Sequence, residues 1–93
     1  MDDFRAVTNA AVGAATLVVD ITPGDKYVSI YSDVAAYAHK TGAAAATAGF
    51  YLPAGVYVGW VPLASVATGG TTEFTITSVS GNLTIVSVIL SRG

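Results

Sequence analysis

The sequence contains no cysteine and few charged residues, and both shortages exclude whole classes of protein. A chain without cysteine can form neither a disulfide framework nor a thiolate metal site. Four Lys and Arg against six Asp and Glu give a formal net charge of −2, so the chain lacks the clustered cations of a nucleic-acid-binding surface. Intrinsic disorder is excluded as well, because it requires low hydrophobicity, whereas 53% of the 93 residues are hydrophobic.

Charge is also missing from long stretches of the chain. Residues 41–72 form an uncharged run of 32 residues, and residues 74–91 form a second run of 18. Soluble monomers of this size normally keep charge on their large surface. Two explanations follow: neighbouring proteins cover much of the surface in the working state, or the chain is a monomer coated with Thr and Ser.

Neither uncharged run resembles a membrane span. A transmembrane helix needs about 20 mainly apolar residues, but residues 74–91 carry Gly81, Asn82 and seven Ser or Thr, and glycines and prolines interrupt residues 41–72. Asp2 and Asp3 oppose the positive start of a secretory signal. We therefore expect a protein that makes no membrane contact and is made in the cytoplasm.

Branched and aromatic residues between glycine and proline turns predict short strands. The predicted fold is all-β: one small antiparallel β-sandwich or jelly-roll-like barrel of about 6–8 short strands. Residues 15–93 form this domain, and residues 1–14 form an N-terminal arm or an edge strand. Residues 43–48 are predicted to form a surface loop with at most one helical turn. Strands are predicted at 16–21, 26–31, 34–40, 56–61, 72–79 and 83–90, with a weak strand at 4–8 and a helical turn as the alternative at 34–40.

The clearest predicted element is a hairpin of residues 72–79 and 83–90 around Gly81-Asn82, a pair that suits a two-residue turn. In that register one face is apolar and suits a core, while the other face, with Val86, Val88 and Leu90, is more apolar than an exposed face should be. Another layer or another chain must then cover it. The predicted interface residues are Tyr27, Tyr31, Val86, Val88 and Leu90. The predicted core residues are Val28, Ile30, Val56, Val58, Trp60, Phe74, Ile76, Ile85 and Ile89.

No pattern in the sequence indicates catalysis, a metal or a cofactor. His39 is the only histidine, and no Gly-x-Ser-x-Gly motif accompanies it. Asp20, Asp25 and Asp33 are spaced by five and eight residues, which does not match a calcium-binding loop. The five tyrosines and Trp60 could form a stacking platform for carbohydrate, although such residues more often serve in cores and interfaces. We expect no enzymatic activity.

The order of several segments resembles small structural proteins of tailed-bacteriophage particles over residues 15–90. The matching segments are an opening strand at 27–34, a histidine near glycine at 38–42 with an Ala/Thr-rich loop at 43–48, the Tyr-Leu-Pro-Ala-Gly turn at 51–55, and a closing Thr/Val-rich region at 73–90. The resemblance implies a non-enzymatic β-sandwich of the virion, located on the head, collar, tail or fibres.

Composition and resemblance together lead to three functional hypotheses. The first is a capsid decoration or cement subunit, a homotrimer that binds the major capsid protein through multivalent apolar contacts. The second is a structural module of the tail, collar or fibre. The third is a glycan-binding module that uses the aromatic residues.

Overall fold

The computed structural model describes residues 4–9, 12–22, 24–42, 49–65 and 72–92. The predicted loop at 43–48 and the first three residues of the predicted arm lie outside these ranges. The described residues form strands, turns and one short 3-10 helix, Leu63–Ser65. The strands are β1 Phe4–Asn9, β2 Thr16–Asp20, β3 Tyr27–Ser32, β4 Ala36–His39, β5 Gly49–Leu52, β6 Tyr57–Pro62, β7 Glu73–Ser78 and β8 Val86–Ser91.

The strands form two antiparallel sheets of four strands each, which enclose one hydrophobic core. The first sheet has the order β1-β8-β3-β6, and the second sheet has the order β2-β7-β4-β5. β1 is an edge strand of the first sheet, with Phe4 opposite Ser91 and Asn9 opposite Val86. The predicted all-β sandwich is confirmed.

Strand pairing follows a nested pattern. β1 pairs with β8, β2 with β7, β3 with β6 and β4 with β5. This pattern arises when one long antiparallel hairpin folds over so that the segments of each arm belong alternately to the two sheets. Two further ladders, β3 with β8 and β4 with β7, complete the sheets. An eight-stranded, two-sheet fold of this kind is a jelly roll, the more specific of the two predicted architectures.

The predicted hairpin of residues 72–79 and 83–90 is wrong. β7 lies in the second sheet and β8 in the first, so these consecutive strands do not pair. Residues 79–85 cross between the sheets beside residues 12–15: the Leu83 N–H donates to the Ala14 carbonyl at 2.8 Å, and the Gly13 N–H donates to the Leu83 carbonyl at 3.1 Å. Gly81 does adopt a positive φ of 71°, but its turn belongs to a connection between sheets.

This change of partner reverses which side chains of β8 face the core. β8 lies beside β3, with Val88 opposite Ile30 and Leu90 opposite Val28. All four side chains, together with Val86, are buried between the sheets. The prediction that Val86, Val88 and Leu90 face an interface is therefore wrong, because the core of their own domain already covers them.

Of the nine predicted core residues, six are buried or partly buried. Val28, Ile30, Phe74 and Ile76 are fully buried, and Val58 packs partly buried against them. Ile89 has intermediate exposure. The core consists of buried hydrophobic side chains from both sheets: Val19, Val28, Ile30, Ala36, Ala38, Leu52, Leu63, Phe74, Ile76, Leu83, Val86, Val88 and Leu90.

Three predicted core residues, Val56, Trp60 and Ile85, are exposed instead. Val56 and Ile85 precede β6 and β8 and lie in connections at one end of the sandwich. Trp60 lies within an irregularity in β6, where the register with β3 shifts between Val58 and Val61. A bulge adds a residue and breaks simple alternation, so Val58 and Val61 face the core while Trp60 does not.

Candidate interaction surfaces

The single histidine joins two strands on the outer face of the second sheet. His39 Nδ1 lies 2.9 Å from the Lys40 carbonyl oxygen, so Nδ1 carries the proton and donates. In the neutral ring Nε2 then accepts from the Thr77 hydroxyl, 2.7 Å away. The ring is buried. Both nitrogens thus make structural hydrogen bonds, and the bond from Nε2 connects β4 to β7.

Of the three aspartates, Asp33 lies at the opposite end of the sandwich from Asp20 and Asp25. Asp25 closes a turn, where its Oδ2 accepts from the Thr22 backbone N–H at 2.8 Å and from the Thr22 hydroxyl at 3.1 Å. Asp20 ends β2, and Asp33 follows β3 at the opposite end of the sandwich. Across the described residues, no group of three or more His, Cys, Asp or Glu is placed to hold a metal ion.

Charged side chains are concentrated at one end of the sandwich, which we call the charged end. Asp20 lies opposite Glu73 where β2 and β7 meet. The Lys26 N–H donates to the Ser91 carbonyl at 2.7 Å, which places Lys26 near the end of β8. Seven charged residues have described side chains, and six of them lie at this end: Asp20, Asp25, Lys26, Lys40, Glu73 and Arg92.

The opposite end carries exposed hydrophobic side chains, and we call it the apolar end. Val56 is 48% exposed, Val79 is 53% exposed and Ile85 is 45% exposed. Asp33 is the one charged side chain among the seven described that lies at this end. Single exposed apolar side chains are normal at a protein surface, whereas a cluster of them indicates an interaction site. The interpretation therefore depends on whether these three side chains lie near one another.

The connection between β3 and β4 holds these hydrophobic residues close together. The Val79 N–H donates to the Ala35 carbonyl at 2.9 Å, and the Ile85 carbonyl accepts from the Asp33 N–H at 2.9 Å. Gly55, which precedes Val56, donates to the carbonyl of the last residue of β3 at 2.8 Å. Two connections, residues 53–56 and 79–85, therefore meet on one short segment, which brings Val56, Val79 and Ile85 to the same end of the sandwich.

A second surface, the aromatic face, covers the outer side of β3 and β6 with Tyr31, Tyr57 and Trp60. Tyr31 lies opposite Tyr57, with ring centroids 5.4 Å apart and ring planes at 44°. The Tyr57 hydroxyl donates to Ser87 Oγ at 2.9 Å, which ties β6 to β8 across β3. Tyr57 is 55% exposed and Trp60 is 40% exposed. The hydrogen bond fixes the Tyr57 ring while most of it stays open to contact.

Of the five predicted interface residues, Tyr27 and Tyr31 alone lie on an outer face, where both are partly buried. Val79 was not predicted as a surface residue, although it directly precedes the Ser80-Gly81-Asn82 turn. The assumed hairpin placed Ile85 in the core instead of at the surface.

Comparison with known proteins returns no match: no family model, no curated protein and no solved structure corresponds to this chain. Among the helices of the described residues, none has the length and apolar character needed to cross a membrane.

Proposed function

We propose that this protein is a non-enzymatic structural subunit of a tailed-bacteriophage particle, specifically a capsid decoration or cement protein that docks on the major capsid protein through its apolar end. The observation that carries the proposal is the separation of charge from exposed apolar surface. Val56, Val79 and Ile85 would be buried on docking, at about 25 cal/mol for each Å² of apolar area removed from water. The charged end would face the solvent.

The fold supports this proposal without deciding it. Jelly rolls occur in viral capsid proteins, and also in lectins and cupins, and a fold alone does not specify a function. The placement of surface chemistry is therefore the stronger support. A lectin or a cupin needs a polar or metal-binding site, whereas the large exposed side chains at the apolar end are Val56, Val79 and Ile85, beside the hydrogen-bonded pair Asp33 and Thr84.

Multivalency explains how a small patch can suffice. Three half-exposed side chains give a weak contact, because association must offset lost translational and rotational freedom. Copies that are linked to one another and docked on a repeating lattice gain affinity without any new contact. A capsid presents such a lattice, and a lone soluble receptor does not.

Immunogold electron microscopy of the phage particles produced together with this protein tests its location. Label distributed over the icosahedral head is the expected result. Label confined to one vertex, or to the tail, would identify the alternative, a collar, tail or fibre module. Particles that carry no label, from a lysate in which the protein is detected, would refute a virion role.

Matched aspartate variants test the docking surface. Val79→Asp and Ile85→Asp each place a charge in the apolar end, and both positions are exposed, so the fold should persist. Ala64→Asp is the control, because Ala64 is exposed beside the charged end. We expect binding to particles that lack the protein to weaken by tenfold or more in both variants, and to remain unchanged in the control. Equal binding by all three proteins would show that docking uses another surface.

The aromatic face supports a second candidate, a glycan-binding module. Exposed aromatic rings stack on the apolar faces of sugars, and Tyr57 is held by Ser87 with its ring half open. A glycan array with the unmodified protein, Tyr57→Ala and Trp60→Ala tests this candidate. Binding that both variants lose while their circular dichroism stays native would favour it over docking by the apolar end.

A further inference from the structure

The lateral edges of the sandwich differ in how well they are protected. β5 and β6 form one side. β5 is only four residues long and is followed by Pro53, while β6 contains the bulge at Gly59 and Trp60 and ends at Pro62. Short strands, prolines and bulges all block further strand pairing at a sheet edge. This side of the molecule is therefore closed to strand addition.

β2, on the other side, contains neither a proline nor a bulge. Its sequence, TLVVD, contains no proline or glycine, and its register with β7 is continuous from Thr16 to Asp20. β2 is an edge strand of the second sheet, and within the described ranges it pairs with β7 alone. Val18, at its centre, is 50% exposed. A regular, apolar-centred edge of this kind is a template for another strand.

Two flanking hydrogen bonds show which backbone groups of β2 point away from β7. The Ser78 N–H donates to the Ala15 carbonyl at 2.9 Å, and the Ile21 N–H donates to the Thr72 carbonyl at 2.8 Å. Both pairs continue the register of β2 with β7. Hydrogen-bonding residues alternate along an antiparallel strand, so the odd-numbered residues of β2 bond to β7. The N–H and C=O of Val18 therefore point to the open side.

We propose that β2 pairs antiparallel with β2 of a second copy, about a two-fold axis at Val18. At the axis, the Val18 N–H of each copy donates to the Val18 carbonyl of the other. The register places Thr16 of one copy opposite Asp20 of its partner, so no two like charges face each other. The two second sheets become one continuous sheet of eight strands.

Self-pairing is favoured over another partner by the symmetry of the strand. An isologous contact requires a surface that is complementary to itself. β2 has an odd number of residues, and its central residue carries outward N–H and C=O groups, which is the condition for two antiparallel copies to match in register. The contact goes beyond the proposed function and does not depend on it. It differs from the predicted trimer, because a two-fold contact produces dimers.

Sedimentation equilibrium of the full chain from micromolar to millimolar concentration tests the pairing. We expect a monomer–dimer equilibrium. Val18→Pro removes the outward N–H without removing a bond to β7, and it should raise the dimer dissociation constant roughly thirtyfold, because two inter-subunit hydrogen bonds are lost. Val18→Thr is the matched control: it keeps the N–H and the branched shape, and should keep the dimer. Val18→Lys places two like charges at the axis and should also dissociate it.

The outcomes separate this inference from the proposed function. Circular dichroism verifies that each variant is folded, and Val18→Lys, which leaves the backbone unaltered, serves if Val18→Pro does not fold. A monomer at all concentrations, a trimer, or a dimer unaffected by the lysine variant would overturn the inference. Particle binding by the apolar end is measured independently, since Val18 lies on a side of the sandwich and not at that end.

Discussion

Truncating Val88 and Ile85 one at a time tests the topology of the closing region. In the jelly roll, Val88 faces the core and Ile85 lies in an exposed connection. In the hairpin predicted by local turn chemistry, Ile85 faces the core and Val88 faces outward. The two arrangements therefore predict opposite orders of stability for Val88→Ala and Ile85→Ala.

The expected magnitudes follow from burial. Val88 is fully buried, and full burial of a valine side chain is worth about 1.5–3 kcal/mol. Removing two methyl groups and leaving a cavity should then cost about 2 kcal/mol. Ile85 is 45% exposed, so its truncation removes less buried area and should cost about 0.5–1 kcal/mol. For a domain of this length, about 2 kcal/mol corresponds to a drop in Tm of roughly 8–16 °C.

Urea denaturation followed by far-UV circular dichroism measures both variants against the unmodified protein. The difference between the two free energies of unfolding is more reliable than either value, because the denatured-state reference cancels. A larger loss at Ile85 than at Val88 would refute the assignment of β7 and β8 to different sheets. Equal losses would show that Ile85 is covered in solution, and the assay repeated across protein concentration would then show whether self-association covers it.

Three further substitutions test local features of the fold. Gly49→Ala should destabilise the protein by about 3 kcal/mol, because a Cβ there would collide with the Ala38 carbonyl oxygen and lie 2.7 Å from the His39 Cα; an unchanged denaturation midpoint would contradict the close approach of β4 and β5. His39→Ala should lower the free energy of unfolding by about 1–2 kcal/mol, since it removes the partly buried hydrogen bond to the Thr77 hydroxyl. Thr77→Val in the same background should then add little if the two residues act as a pair. Asp25→Ala should lower the free energy of unfolding by about 1 kcal/mol through loss of two hydrogen bonds from Thr22, whereas Asp25→Asn keeps the acceptor oxygen and should cost less; equal effects would assign the loss to something other than the turn.

Most strands could be predicted from the sequence, because alternation of branched residues is a local property. Seven of the eight strands lie within or close to the predicted segments, and these are β1, β2, β3, β4, β6, β7 and β8. β5 was missed, since Leu52 was assigned to the turn that follows. At Trp60, a bulge changed which residues of β6 face inward. The sequence pattern of a short apolar strand does not reveal such a bulge.

Interaction surfaces were predictable only in kind. The shortage of charge indicated that apolar surface would be exposed, and Val56, Val79 and Ile85 show that surface. Their meeting at one end of the sandwich was not predictable, because each lies in a connection whose place depends on strands distant in sequence. Val88 was placed at an interface because β8 was assumed to pair with β7. The alternation of side chains along β8 was predicted correctly, but its strand partner was not.

The sequence by itself determined that this is an all-β domain without thiol chemistry, with few charges and with short strands, because composition and alternation act over a few residues. Tertiary structure alone decided that β7 and β8 separate into different sheets, that most charged side chains of the described residues lie at one end, and that β2 is an edge strand. These features arise from pairing between strands far apart in the chain. A side chain faces the core or the solvent according to the strand beside it, and no local pattern specifies that strand.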